Sequence, residues 1–403
     1  MNTYKKHNLE SETILITQKI EGKSSIQFSI GVRSGSRYEK PDNNGISHLV
    51  EHIVSRNIRE MLRENNWQGS YILSTFDAFT NKEFTKYYFE VEKNDLALAA
   101  SIVSQILSPV FTKELLKAEK GIILEEIAEA EDDPQSIFED NVAKRFFAGN
   151  SLAQGVLGVT AKIKKIDADQ INQYLSDFYS SERIVIVATG KIDSDQLSKL
   201  LVRESSKNVS VNDKIGVVSF VRPQPGVTYI SSKIEQTMVG WYFVSPQTGI
   251  KEGIKSTFFA RVLDEYLNFY IRDTGFCYSL SASVTHFQEI GILEIYSSFS
   301  GNKVEEFTDR VKKCLDNFKQ NFDDEALELA KENSVKALSI EADETSNLAG
   351  YLLDSFLLYG EVVTIYDVIN VIKTLSRNDL ETFYKQYLSY SGHLFIAGSK
   401  TTK

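Results

Sequence analysis

QINQYLSDFYSSERIVIVATG, residues 170–190, carries a helix, a turn and a strand in one run. Aromatics recur at helical spacing (Tyr174, Phe178), a polar turn follows, and an apolar, β-branched stretch ends in Ala and Gly. The same order returns in DLETFYKQYLSYSGHLFIAG, residues 379–398, and positions 170 and 379 are 209 residues apart. That offset also relates the starts of the two halves. Residues 24–34 (SSIQFSIGVRS) alternate as a strand ahead of a helix; residues 236–244 (QTMVGWYFV) are strand-like and precede a helix-like run from Lys255 to Phe269. The repeat predicts an α+β fold of two homologous domains, each an antiparallel-rich sheet packed against helices. The first would span 1–205 and the second 229–403. A linker at 206–228 is polar early and then carries Pro223, Pro225 and Gly226.

The bulk numbers agree with two cores. A chain of 403 residues is long for one, and 42% hydrophobic with 25% charged residues is ordinary globular composition. A net charge of −10 argues against nucleic-acid binding, which needs clustered Lys and Arg. Two cysteines, Cys277 and Cys314, read as reduced thiols rather than as a disulfide framework. The first residues have no apolar run of signal-peptide length, and no stretch reaches the ~18 apolar residues of a membrane span, so the expected location is cytoplasmic.

Chemistry concentrates in His48-Leu-Val-Glu51-His52. Positions i and i+4 lie on one helix face, one turn apart, so two imidazoles there can share a metal. Position i+3 lies beside them, where Glu51 can hold a water on that metal. Gly45 closes a turn rich in Asp42, Asn43 and Asn44, and Leu49, Ile53 and Ile58 form an apolar stripe, as a helix requires. The offset puts Thr257, Ala260 and Arg261 at the corresponding positions of the second half, which therefore has no metal site. His7, His286 and His393 have no ligand-like spacing and read as structural or surface residues.

A catalytic zinc takes three protein ligands and keeps one position open. The run from Lys113 to Pro134 is strongly helical and carries Glu114, Glu119, Glu125, Glu126, Glu129 and Glu131. Glu126 is framed by Ile122, Ile123 and Ala130, and Glu119 lies two turns earlier on nearly the same face. Periodicity favours Glu126 with Glu119 behind it and leaves Glu129 open; most of these carboxylates belong to a solvated face.

Two stretches make a resemblance specific. GSRYEKPDNNGISHLVEH (35–52) and AEKGIILEEIAEAEDDP (118–134) resemble the active-site helix entry and the second metal helix of the pitrilysin/insulinase, or inverted-zincin, zinc peptidases. His52 and Glu126 are 74 residues apart, as this resemblance requires. It implies one Zn2+ per chain on His48, His52 and Glu126, with Glu51 as general base and Glu119 supporting the site. It also implies half of a clam-shell chamber, and hence a dimer, with itself or with a related chain lacking the motif.

The same resemblance points to substrate-holding elements. Residues 70–91 read as strand, turn, strand, and Asp77-Ala78-Phe79-Thr80 stands where the family has Asn-Ala-x-Thr, a segment that pairs with substrate backbone as an added strand. Asp77 and Ala78 would bind substrate there; read without the family, Asp77 is a turn cap. In YIRDTGFCYSLSASV (270–284), Arg272 would grip substrate and Tyr278 would stabilise an oxyanion, although their spacing of six is one shorter than the family's. The expected function is zinc-dependent endopeptidase action on short or unfolded peptides, in processing or in degradation. Its rivals are a non-catalytic, peptide-binding subunit and a zinc hydrolase acting on another amide.

Overall fold

The strand at residues 25–32, SIQFSIGV, is buried along nearly its whole length, so both faces of its sheet are covered. The computed structural model describes residues 4–9, 12–205, 222–231, 236–246, 249–301, 303–388 and 392–398. Among them, six strands form the first sheet: β1 (Tyr4–Asn8), β2 (Ile14–Lys19), β3 (Ser25–Val32), β4 (Asp77–Thr80), β5 (Thr85–Glu92) and β6 (Ile184–Gly190). Their order is β1-β2-β6-β3-β5-β4, with β2 and β6 parallel and the other neighbours antiparallel. The second sheet holds β7 (Gly226–Ser231), β8 (Gln236–Pro246), β9 (Ser279–His286), β10 (Ile290–Ser300) and β11 (His393–Gly398), in the order β7-β11-β8-β10-β9. Only β7 and β11 are parallel there. With β1 set aside, the two orders match strand for strand, including the place of the parallel pair. β6 and β11 start at residues 184 and 393, the offset of 209 read from the sequence.

Helices α1 (Ile46–Glu64), α2 (Asn66–Thr75), α3 (Leu96–Leu107), α4 (Lys113–Asp132), α5 (Pro134–Phe146), α6 (Thr160–Ile163), α7 (Ala168–Phe178) and α8 (Ser194–Ser205) belong to the first half. The second half has α9 (Ile250–Tyr270), α10 (Val304–Asn321), α11 (Asp324–Glu341), α12 (Thr345–Tyr359), α13 (Ile365–Lys373) and α14 (Arg377–Phe383). No described helix is long and apolar enough to cross a membrane. Cys277 and Cys314 are free thiols.

The compact units do not follow the expected boundaries at 205 and 229. One unit comprises Met1–Glu131, Ser151–Val218 and Ala342–Val363; the other comprises Asp132–Asn150, Ser219–Glu341 and Thr364–Lys403. Each half thus gives one helix, α5 or α12, to the unit built mainly from the other half. The cause is the two-faced sheet. In the first unit, Ile26, Phe28, Ile30, Tyr87 and Phe89 pack on one side against Leu49, Val50 and Ile53 of α1 and the apolar face of α3. Phe28 and Phe89 sit opposite each other across β3 and β5, with ring centroids 4.9 Å apart. The opposite face offers Ile16, Val185 and Val187, which α12 covers with Leu352, Leu353, Phe356 and Leu357. Each fully buried side chain of this size contributes about 1.5–3 kcal/mol. β3 carries Gly31 where α12 presses closest: a Cβ there would stand 2.6 Å from the Leu357 side chain. In the second unit α5 does the corresponding work, with Phe138 against Tyr296 and Phe146 against Tyr242 and Phe395.

Two local expectations change. Residues 70–75 were expected to be a strand and instead complete α2; β4 starts only at Asp77. A short apolar run such as YIL fits either structure, and here it is helical, with Ile72 buried and Thr75 Oγ1 accepting the Glu90 N–H of β5 at 3.1 Å. In the linker, 206–221 lie outside the described residues, and 226–228 are already strand, because Gly226–Ser231 pairs in parallel with β11.

Candidate metal and catalytic site

The site grows from the start of α1. Gly45 holds φ +98°, a left-handed conformation that favours glycine, and the helix begins at the next residue. The N–H groups exposed at that start are taken by Glu39. Its Oε2 accepts from Gly45 N–H at 2.8 Å and from Asn44 Nδ2 at 2.7 Å, and its Oε1 accepts from Ser47 N–H at 2.8 Å. Burial pushes this carboxyl up, against the pull of these hydrogen bonds. Sequence reasoning passed over Glu39, since a cap six to eight residues upstream of the N–H groups it takes has no capping-box spacing.

From this start, α1 presents His48, Glu51 and His52 on one side while Leu49, Val50, Ile53, Val54 and Ile58 enter the core. α4 buries Leu116, Glu119, Ile123 and Ile127 and brings Glu119 and Glu126 to the same place. Ile122, part of the expected apolar frame of Glu126, is exposed; Ile123 and Ile127 anchor the helix instead. Glu125 and Glu129 lie on the exposed face of α4.

The atoms converge. The Nε2 atoms of His48 and His52 are 3.2 Å apart, and the Glu126 carboxylate lies 3.7 Å from His48 Nε2 and 3.6 Å from His52 Nε2. One ligand atom from each of the three lies within 4.8 Å of the others. Two ligands at ~2.0–2.1 Å from a tetrahedral zinc stand roughly 3.4 Å from each other, so this spacing and donor set fit such an ion. Glu119 is nearly sealed, at 3% exposure, and His52 Nδ1–H donates to its Oε2 at 3.3 Å. That bond leaves the His52 Nε2 lone pair directed at the cluster.

Electrostatics separate the two rings. Burial, with the neighbouring His52 charge, pulls His48 down to about 4. Burial also works to lower His52, but the Glu119 hydrogen bond and the charges of Glu51 and Glu126 outweigh it and raise the ring. Glu51 is 6% exposed, and burial lifts it to about 7; His52 and a Thr80 hydrogen bond oppose the rise, while Glu126 and Asp77 add to it. A carboxylate held near neutrality can both take and return a proton.

Thr80, the last residue of β4, donates from Oγ1 to Glu51 Oε2 at 3.3 Å. The expected segment Asp77–Thr80 therefore lies beside the general-base candidate, on what is, among the described residues, the open edge of the first sheet. Ala78 is half-buried and Asp77 exposed, and Asp77 Oδ1 accepts the Ala78 N–H at 2.9 Å. Arg272 and Tyr278 belong to the other unit. Arg272 opens the short 3-10 turn Arg272–Thr274, and Tyr278, 82% exposed, immediately precedes β9. At the second-half counterparts of the motif, Thr257 Oγ1 lies 3.1 Å from His286 Nε2, Ala260 is buried, and Arg261 pairs with Glu265 across one helical turn.

Two models of one peptidase family match the chain. Residues 14–160 match the family model described as insulinase (peptidase family M16), and residues 165–334 match the model described as peptidase M16 inactive domain. A Bacillus subtilis protein described as the uncharacterized zinc protease YmxG is 24% identical, over 87% of this chain and 88% of its own length. The mitochondrial-processing peptidase subunit beta of Dictyostelium discoideum is also 24% identical, over 87% of this chain and 81% of its own. Among solved structures, a protease from Helicobacter pylori superposes with a TM-score of 0.88 at 14% identity, covering 98% of this chain and all of that one. At that identity the likeness speaks for the fold.

Proposed function

The chain belongs to the insulinase (M16) family of peptidases, and from that premise we propose that it is a zinc-dependent endopeptidase of short or unfolded peptides. The observation that carries this reading is the meeting of His48 Nε2, His52 Nε2 and the Glu126 carboxylate beside the buried Glu51. His48, His52 and Glu126 would hold the ion. When bound, zinc supplies Lewis-acid polarisation of the scissile carbonyl and lowers the pKa of water. Glu51 takes the proton of the attacking water and delivers it to the leaving amine. Thr80 keeps the Glu51 carboxylate oriented, and Glu119 keeps His52 in its ligating tautomer. The open edge of β4 offers backbone pairing to an extended peptide, which favours peptide over other amides. By family resemblance, Arg272 holds substrate and Tyr278 donates to the oxyanion. We further place the chain as one half of a two-chain chamber, formed with a second copy or with a related chain lacking the motif.

Replacing Glu119 by Ala lowers metal affinity by about 10- to 100-fold, measured by chelator competition. Unchanged affinity would remove Glu119 from its supporting role. The function itself is tested by metal analysis and by cleavage of a mixed peptide library. About one zinc per chain with cleavage of internal peptide bonds is the expected result. A protein that holds no metal and cuts nothing, alone or with a related subunit, is instead the non-catalytic member of such an assembly.

A further inference from the structure

Hydrogen bonding in the β4–β5 hairpin decides which backbone groups face outward. Asn81 N–H donates to Phe84 O at 2.8 Å, so 81 and 84 form a bonded pair. In an antiparallel ladder bonded and non-bonded pairs alternate. Thr80 opposite Thr85 and Ala78 opposite Tyr87 are therefore non-bonded pairs, and their N–H and C=O groups point away from β5 to the open edge. The side chains alternate too. Thr80 reaches Glu51 on the α1 face, whereas Phe79 lies on the opposite face, its ring 5.9 Å from that of Tyr88. Asp77 shares the Phe79 face and stands opposite Tyr88 in the register.

One outward donor is already engaged: the Ala78 N–H donates to Asp77 Oδ1 at 2.9 Å. A peptide carbonyl adding to β4 needs that same N–H. We infer that Asp77 is a specificity-determining residue, a self-cap that a peptide strand displaces and whose released carboxylate favours a cationic peptide side chain beside it. This rests on the strand-addition reading above. The physics is an exchange. A carboxylate accepts more strongly than a neutral carbonyl, so a peptide that merely takes the N–H gives up a charge-assisted bond. A Lys or Arg on the peptide gives the displaced carboxylate a new partner; a Glu repels it. Two neighbouring cations of the protein are engaged elsewhere. Arg59 donates to Phe76 O at 3.2 Å and lies 5.3 Å from the Phe76 ring centre. Lys86, opposite Phe79 in the register, is buried, pairs with Asp354 and lies 5.2 Å from the Phe79 ring centre. Asp77 itself is exposed, so a cationic peptide side chain can reach it.

The test reads binding, not turnover. Labelled peptides matched except for one position, which is Lys, Ala or Glu and is moved along the sequence, are titrated by fluorescence anisotropy into the Glu51→Gln protein. The same titrations are made with Asp77→Asn and Asp77→Ala added. With Asp77 present, the best-placed Lys peptide binds about threefold to tenfold more tightly than its Glu counterpart, and Asp77→Asn brings that ratio close to one. Asp77→Ala, which removes the cap, tightens the Ala peptides by about twofold to fivefold. A Lys-to-Glu ratio that survives Asp77→Asn at every position, or Ala peptides that bind Asp77→Ala no better, overturns the inference. If peptides bind but the native chain, alone or with a related subunit, cuts none, the peptidase reading fails and the Asp77 result stands on its own; if no peptide binds, the Asp77 inference falls while metal content and cleavage still decide the peptidase reading.

Discussion

Replacing Glu51 by Gln lowers kcat/KM on every cleaved peptide by about 10²- to 10⁴-fold while metal content holds at the native level. In transition-state terms that is about 3–5.5 kcal/mol. The amide keeps the shape of the carboxyl and can still accept the Thr80 hydroxyl, so the pocket has no reason to collapse. What it loses is the ability to accept a proton from water. Stability changes little or rises, because burial already disfavours the charged form of Glu51 and holds its pKa near 7. Metal analysis alongside steady-state kinetics separates the outcomes. Activity within tenfold of native excludes Glu51 as the base. Loss of the metal would make it a ligand and would unsettle the assignment of Glu126.

The largest stability effect is expected at Arg37 and Glu83, whose side chains form an ion pair at 2% and 3% exposure. The pair joins the segment that enters α1 to the hairpin that carries Thr80. Around it, Arg37 N–H donates to Lys82 O at 2.9 Å, and Asn81 Oδ1 accepts from the N–H groups of Glu83 and Phe84 at 2.8 and 2.7 Å. Removing one partner takes from the buried charge that remains its ion-pair partner, so Arg37→Ala or Glu83→Ala lowers unfolding free energy by about 3–5 kcal/mol. Replacing both, as Arg37→Met with Glu83→Leu, costs less than the two single changes together, since neither charge then stays buried without its ion-pair partner. Urea unfolding at fixed metal concentration measures all four proteins. Single variants within about 1 kcal/mol of native would show that water reaches the pair.

Much of this was legible in the sequence for identifiable reasons. His48, Glu51 and His52 lie within five residues, so helical period alone places them on one side of one helix. The second ligand helix is a long periodic run, and the 209-residue repeat returns as two sheets of matching strand order. The helix end at 70–75 was not legible, because a short apolar run fits strand and helix alike until its neighbours choose. Glu39 was missed because its partners are set by how the chain from 39 to 47 folds back, which no fixed spacing records. Thr80 lay within a noticed segment, yet its bond to Glu51 depends on β4 lying against α1.

By itself, then, the sequence determined the class of fold, its duplication, and which helices carry imidazoles and carboxylates; these follow from local periodicity and from chemistry written into short spans. Tertiary structure alone decided that 74 residues of chain return Glu126 to within 4 Å of both histidines, that Glu119 turns His52, and that α5 and α12 exchange places between the units. Those outcomes depend on which apolar faces remain uncovered once each sheet has formed, and a sheet with two apolar faces takes its second layer from whatever part of the chain can reach it.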